Sequence, residues 1–262
     1  MLPALVRKTW HDERLALVGW IAGVAAFTAT YTSFYPQFQG AAELKQQALP
    51  QDMLDFLGIT DMLSPAGYLQ ATVFSLLGPL LLLMSAITLI ERTIARPEQD
   101  GSMELLLANP LSRRAFAWQR LAAAGAAVTV VAAVPMLLLM VIVPAIGIDI
   151  ALSNVAAAGT GLVALVWCFG GIAFLAGAVT GKRAWVLASA GTLAMIAFLA
   201  DAFAGMTASW QWLRWLSPFY YALGTDPLHT GWHPAHLLVP VAVGALATAA
   251  GVVLFDRRDV GV

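Results

Sequence analysis

Charge is what this chain has least of. Asp, Glu, Lys and Arg make up 11% of its 262 residues, less than half of the roughly 25% usual in water-soluble domains. Hydrophobic residues make up 60%, and the mean hydropathy is +0.78. That balance excludes an ordinary soluble fold and points to a polytopic membrane protein. Cysteine is nearly absent as well: the lone Cys168 excludes an internal disulfide and any cysteine-based metal cluster. There is no HExxH, no GxSxG and no pair of carboxylates within an apolar stretch, so the chain is not expected to be an enzyme. The run Ala176-Gly-Ala-Val-Thr-Gly-Lys182-Arg183 approaches a phosphate-binding loop. The position after the lysine must offer a hydroxyl to Mg²⁺, however, and it is Arg183; no strand precedes it either.

The charges that exist are clustered, which leaves six intervals without any: Leu15 to Ala42, Met62 to Ile90, Leu121 to Ile148, Ile150 to Gly181, Ala184 to Ala200 and Pro227 to Phe255. Each holds the roughly 17 to 25 apolar residues that a helix needs to cross a bilayer. The first is too long for a signal-peptide core and lacks a small-x-small cleavage site, so it reads as a retained span. The expected architecture is an all-α membrane protein, one domain over residues 1–262 with six transmembrane helices. Threading them with the N-terminus inside places Arg7, Lys8, Arg14, Arg92, Arg96, Arg113, Arg114, Arg120, Lys182, Arg183, Arg257 and Arg258 on the cytoplasmic side. Only Lys45 and Arg214 fall outside, a strong positive-inside bias that makes both termini cytoplasmic. No basic patch departs from this pattern, so no nucleic-acid partner is expected.

Local features refine the picture. Leu2, Leu5, Val6 and Trp10 recur at helical spacing among Arg7, Lys8, His11 and Arg14, so residues 1–14 form either an amphipathic helix in the inner interface or a flank of the first span. The external loop from Tyr35 to Asp61 is expected to hold a short helix around 41–57. Gly78-Pro79 predicts a kink in the second span, and Pro135 and Pro144 predict the same in the third. Small residues at Gly19 and Gly23, and at Ala173, Gly177 and Gly181, allow close helix approach, within the chain or between subunits. Residues 205–233 concentrate Trp210, Trp212, Trp215, Phe219, Tyr220, Tyr221 and Trp232, a density suited to the headgroup level. Ser217-Pro218 and Asp226-Pro227 divide that outer segment into short interfacial pieces. No metal site is expected; His229, His233 and His236 are weak candidates, since Gly231 and Pro234 interrupt the helical face they would share.

The spans also lack a buried carboxylate or histidine of the kind that binds a coupling ion: Glu91 and Asp201 sit at span ends and Asp149 in an outer turn. Uphill transport would then draw its energy from elsewhere. The longest polar interval, Glu91 to Arg114, is where a cytoplasmic partner would make contact. Within it, Gly101-Ser102 opens a short helix over Met103 to Ala108, and Asn109-Pro110 closes it, because the residue before proline avoids the helical region.

The run IARPEQDGSMELLLANPLSRR resembles the segment after the second span in permease subunits of type-2 ATP-binding-cassette (ABC) exporters, roughly G-T-L-E-L-L-L-A-x-P-[VL]-S-R after an acidic pair. Gly101, Glu104, Leu105, Leu106, Leu107, Ala108, Pro110, Ser112 and Arg113 stand in matching places. Leu216-Ser-Pro-Phe219 before the last span and the ending Phe255-Asp-Arg-Arg-Asp259 are similar too, as is the Ser64-Pro-Ala-Gly-Tyr68 entry to the second span. Arg96-Pro97 and Ser102 depart from the pattern.

The resemblance implies a bacterial inner-membrane, multi-pass subunit that forms the translocation pathway and binds no cofactor itself. ATP and Mg²⁺ would be held by a separate ABC ATPase in two copies, and a second or homologous permease would complete the transporter. Residues 96–114 would be the cytoplasmic coupling segment, with Gly101, Ser102, Glu104, Leu105, Leu106, Leu107, Ala108, Pro110 and Arg113 on the ATPase, and Glu91 and Arg92 passing motion to span 2. The alternatives are a self-contained channel or ion-coupled carrier, and a membrane enzyme acting on lipid, which needs a polar cluster in one cavity.

Overall fold

The computed structural model describes residues 2–39, 64–93, 95–99, 113–206 and 208–258. Among these residues the chain is built of helices, with no strand, and six helical segments are long and apolar enough to cross a membrane. The first is α1 (Leu2–Ser33), followed by a short α2 (Tyr35–Gln39). The second is composite: α3 (Pro65–Leu69), a π-helical turn (Gln70–Phe74) and α4 (Leu77–Glu91). After a five-residue α5 (Ala95–Gln99) come α6 (Arg113–Ala145), α7 (Leu152–Thr180) and α8 (Arg183–Met206). A 3₁₀ helix (Ala208–Leu216), α9 (Pro218–Leu223) and α10 (Pro227–Thr230) lead to the last span, α11 (Pro234–Arg257).

The six segments fall on the six charge-free intervals, as composition requires. Their ends hold more detail. α1 runs unbroken for 32 residues, about 48 Å at 1.5 Å per residue, longer than a hydrocarbon core of roughly 30 Å. Residues 2–14 are helical and continuous with the first span, whose apolar part begins at Arg14. The expected helix around 41–57 and the coupling helix over 101–110 lie outside the described residues.

The kink expected at Gly78-Pro79 is present, and the backbone explains why glycine is there. The π turn at Gln70–Phe74 shifts the hydrogen-bond ladder, and Leu76, at φ −122 and ψ −60, interrupts it. The carbonyl of Val73 then turns toward Gly78, where a Cβ atom would lie only 1.8 Å from its oxygen. Hydropathy does not reveal the π turn, because the same apolar residues would serve an α turn. Pro135 and Pro144 behave differently: both lie inside α6, which passes through them as a single helix. Each removes one backbone donor without dividing the span. The dipeptides Ser217-Pro218 and Asp226-Pro227 act as expected. Ser217 caps α9 by accepting from the Phe219 N–H, and Asp226 precedes α10 in the left-handed region at φ 51.

The bundle is organised around α7. Two-thirds (67%) of the most apolar stretch of α7 is buried, as it is for the composite second span, against 17% for α8 and 22% for α1 and α11. It packs on α11, α6, α4 and α8. Lipid is as apolar as leucine, so helices in a bilayer are held by close contact and not by the exclusion of water. The most extensive contact is with α11. A Cβ on Gly171 would stand 2.3 Å from the Gly244 carbonyl oxygen, and one on Gly244 would stand 2.5 Å from that of Trp167. One turn or two further on, Gly251 lets the Phe174 ring lie against the α11 backbone. The expected stripe is buried in the same helix, with Ala173 fully enclosed and Gly177 against Val186, but the tightest crossing uses a neighbouring face. A Cβ on Gly19 or Gly23 would meet nothing within 4 Å among the described residues.

Adding one methyl at the crossing, Gly171→Ala, therefore forces α7 and α11 apart, and overpacking of this kind costs about 1–3 kcal/mol. Thermal unfolding in detergent should show a lowered midpoint for Gly171→Ala. Gly125→Ala, where a Cβ meets nothing within 4 Å, should leave the midpoint unchanged or raised.

Candidate functional site

The described root of the polar interval is the part of the molecule where buried charge collects. α4 ends on Glu91, and its C-cap Arg92 keeps helical dihedrals. The chain is then held close to the bundle: the Thr93 N–H and hydroxyl both donate to the Ile90 carbonyl, at 2.9 and 2.6 Å. Ala95 is fully buried and Pro97 is buried, so α5 lies with one side on the ends of α7 and α8 while Arg96 faces outward. Arg96-Pro97, which departs from the resembled pattern, is thus an anchored part of the segment.

Two carboxylates secure this arrangement. The Glu91 side chain is 2% exposed, and the Arg183 guanidinium at the start of α8 approaches it, Nε to Oε1 3.2 Å. The two are in ion-pair range, though the N–H is not aligned for a hydrogen bond to that oxygen. Glu98 of α5 accepts from the Arg258 Nη2 group just beyond α11, and Arg258 Nη1 donates to the Ala178 carbonyl, 3.1 Å, at the end of α7. A cation at a helix C-terminus satisfies carbonyls that have no partner in the helix. Burial lowers the Arg258 pKa from its ordinary value, yet arginine stays charged at physiological pH. α7 closes on Gly181, left-handed at φ +61, whose N–H donates to the Gly177 carbonyl, 2.8 Å. A Cβ there would fall 2.4 Å from the Glu98 carboxylate, so the glycine leaves the space that the carboxylate fills.

Of the residues singled out by sequence, Glu91 and Arg92 are at this junction. Arg113 opens α6, and Gly101, Ser102, Glu104, Leu105, Leu106, Leu107, Ala108 and Pro110 lie outside the described residues. Sequence gives Glu98 no role, places Arg183 and Arg258 only among the basic residues of one side, and reads Gly181 as part of a close-packing stripe and not as the notch for a carboxylate. The signal in the sequence is modest: charged residues close to span ends.

The opposite end of the bundle is tied largely by neutral groups and a histidine–aspartate pair, with Arg214 donating to the Ala204 carbonyl and lying 5.3 Å from the Tyr220 ring centroid. Ser64 caps α3 by accepting from the Gly67 N–H and lies 3.3 Å from His229 Nε2, while His229 Nδ1 is 2.7 Å from Asp226 Oδ2. Asn154, at the start of α7, donates to the Leu228 and His229 carbonyls of α10. His233 pairs with the Thr230 hydroxyl, and the His236 ring packs against Tyr220 and Tyr221, with centroids 5.8 and 5.6 Å away. The three histidines thus take separate partners, and no group of three or more His, Cys, Asp or Glu is placed to hold a metal among the described residues. Trp210, Trp212 and Trp215 on the 3₁₀ helix are all about half exposed or more, an aromatic belt at the level where a bilayer would end.

Six apolar helices with ion-paired residues collected at one end and an aromatic belt at the other describe a multi-pass membrane protein. A family model described as the multidrug efflux system permease Rv1217c, C-terminal domain, matches residues 7–256. The chain belongs to this family. It is accordingly a membrane permease component of an efflux system, one part of a transport machinery with other components. The match spans all six helices and ends two residues before Arg258. No curated protein matches the chain.

Two measurements bear on these sites. Gly181→Ala must adopt a left-handed conformation that costs an L-residue about 1–2 kcal/mol and must displace Glu98; the thermal midpoint in detergent should fall, by more than for a glycine of the same helix in ordinary dihedrals. Replacing His229, His233 and His236 together by alanine should leave the zinc content of the purified chain, measured by elemental mass spectrometry, the same as wild type.

Proposed function

We propose that this chain is the transmembrane subunit of an ATP-driven ABC exporter, coupled through the segment 96–114 to a separate ATPase. The observation that carries the reading is the efflux-permease family match over six spans, taken with the resemblance of residues 101–113 to the ATPase-docking segment of type-2 ABC permeases. The chain itself holds no ATP and performs no catalysis. Two copies of the ATPase bind and hydrolyse ATP with Mg²⁺, and their closure drives the spans between inward- and outward-open states.

Orientation follows from the basic residues. The end that carries Arg92, Arg183 and Arg258 faces the cytoplasm, both termini lie there, and the Trp-rich belt sits in the outer leaflet of a bacterial inner membrane. On the resemblance, residues 103–108 would serve as the coupling helix, with Leu105, Leu106 and Leu107 as the apolar anchor and Glu104 and Arg113 as the charged rim that orients it. A second permease, identical or homologous, completes the pathway. A family described by a C-terminal domain favours a homologous second half, because it names one part of a permease. The spans carry few carboxylates: Glu91 and Asp256 lie in the last turns of α4 and α11, so among the described residues a coupling-ion site inside a span would have to rest on Asp201 of α8.

The reading is tested by Leu105→Asp combined with Leu106→Asp. Burying two carboxylates in an apolar groove should abolish copurification of the ATPase and lower dye efflux from cells at least about tenfold, the scale of losing a central anchor. Retained copurification and efflux would remove residues 105–106 from the interface. Efflux that follows an imposed proton or sodium gradient without any ATPase would favour the ion-coupled carrier.

A further inference from the structure

We propose that Glu98 and Arg258 form a clamp that positions the coupling segment, so that its movement is delivered to the ends of α7 and α11 and not to span 2 alone. This rests on the ATP-coupled reading above.

The stretch from Glu91 to Gln99 is bound to the bundle at three points. Glu91 faces Arg183 of α8, Thr93 is bonded to the last turn of α4, and Glu98 is held by Arg258 beside the Gly181 notch. Glu98 and Arg258 are 160 positions apart in the chain, so their contact exists only because the folded bundle brings the ends of the polar interval and of the last span together. Any displacement of the segment beyond Gln99 must then either carry the ends of α7 and α11 with it or break the pair.

Energetics argue that the pair serves positioning more than stability. Both side chains are about four-fifths buried, with 18% and 22% exposed. A buried ion pair contributes little net stability compared with apolar side chains of the same volume, whereas removing one partner leaves an uncompensated charge. What the pair adds is direction: Arg258 engages a carboxylate through one nitrogen and the α7 terminus through another, which fixes three elements in one geometry. The Glu91–Arg183 pair differs, because Arg183 is 58% exposed. Water reaches that cation but not Glu91, which is 2% exposed, so parting the two would take a charge away from a buried carboxylate. The junction therefore has two ion-paired attachments, of which the Glu98 clamp joins three elements.

The test compares wild type, Glu98→Gln, Arg258→Gln and the reversed pair Glu98→Arg with Arg258→Glu. Ethidium efflux is measured per membrane-inserted chain, and ATP hydrolysis is measured on the ATPase that copurifies. Each single variant should lower efflux about tenfold with hydrolysis held within about twofold, the signature of lost coupling and not of lost assembly. The reversed pair should recover at least about a third of wild-type efflux, because the interaction and not either residue alone is at stake. Unchanged efflux in the single variants, no recovery in the reversed pair, or hydrolysis falling in step with efflux would overturn the clamp. Absence of any copurifying ATPase from wild type would instead defeat the ATP-coupled reading, and recovery of efflux in the reversed pair would still decide for or against the clamp.

Discussion

The backbone contact between α7 and α11 is the constraint on which the rest of this molecule depends. Helices in lipid gain nothing from hiding apolar side chains from one another, so a bundle keeps its shape where surfaces fit closely. Gly171 and Gly244 let two backbones approach until each carbonyl occupies the space of a side chain. That crossing sets where both ends of α7 fall. At one end Asn154 reaches the carbonyls of α10; at the other Ala178 and Gly181 receive Arg258 and Glu98.

The two ends differ in chemistry in a way that suits an efflux permease. One end is held by the largely buried Glu98–Arg258 pair and by buried Glu91 facing the exposed Arg183, both between elements distant in the chain. The other is held by hydroxyl, amide and imidazole groups in water-accessible positions, where exchange with water makes rearrangement less costly. Between them the spans carry little charge, with Arg120 inside α6 and Asp201 inside α8, and α1, α8 and α11 keep most of their apolar surface outside the chain's own core.

Much of the fold was legible because hydropathy is a direct physical readout of bilayer thickness. The six spans, the break near Gly78-Pro79 and the division of the outer segment at Ser217-Pro218 and Asp226-Pro227 all follow from local chemistry: the length of an apolar run, a missing donor, a proline that cannot continue a helix. The π turn at Gln70–Phe74 was not legible, since an apolar side chain reads the same in either helix. Nor was the role of Glu98. It stands two residues from the exposed Arg96 on a short helix and looks like any surface acid until Arg258, from the far end of the chain, is brought beside it. The glycines divide in the same way. The spacing at Gly19 and Gly23 matches a close-packing motif, yet those positions face outward, whereas Gly171 and Gly244 belong to no shared spacing and carry the crossing.

By itself the sequence determined that this is a six-span helical membrane protein and where its charges cluster along the chain. These are properties of composition along a line, and a bilayer sorts a line by transfer free energy one segment at a time. Tertiary structure alone decided which helix is central, which glycines are contacts and which carboxylates are paired. Those depend on the meeting of residues such as Glu98 and Arg258, 160 positions apart, and contact at that separation is set by the packing of whole helices, which no local pattern encodes.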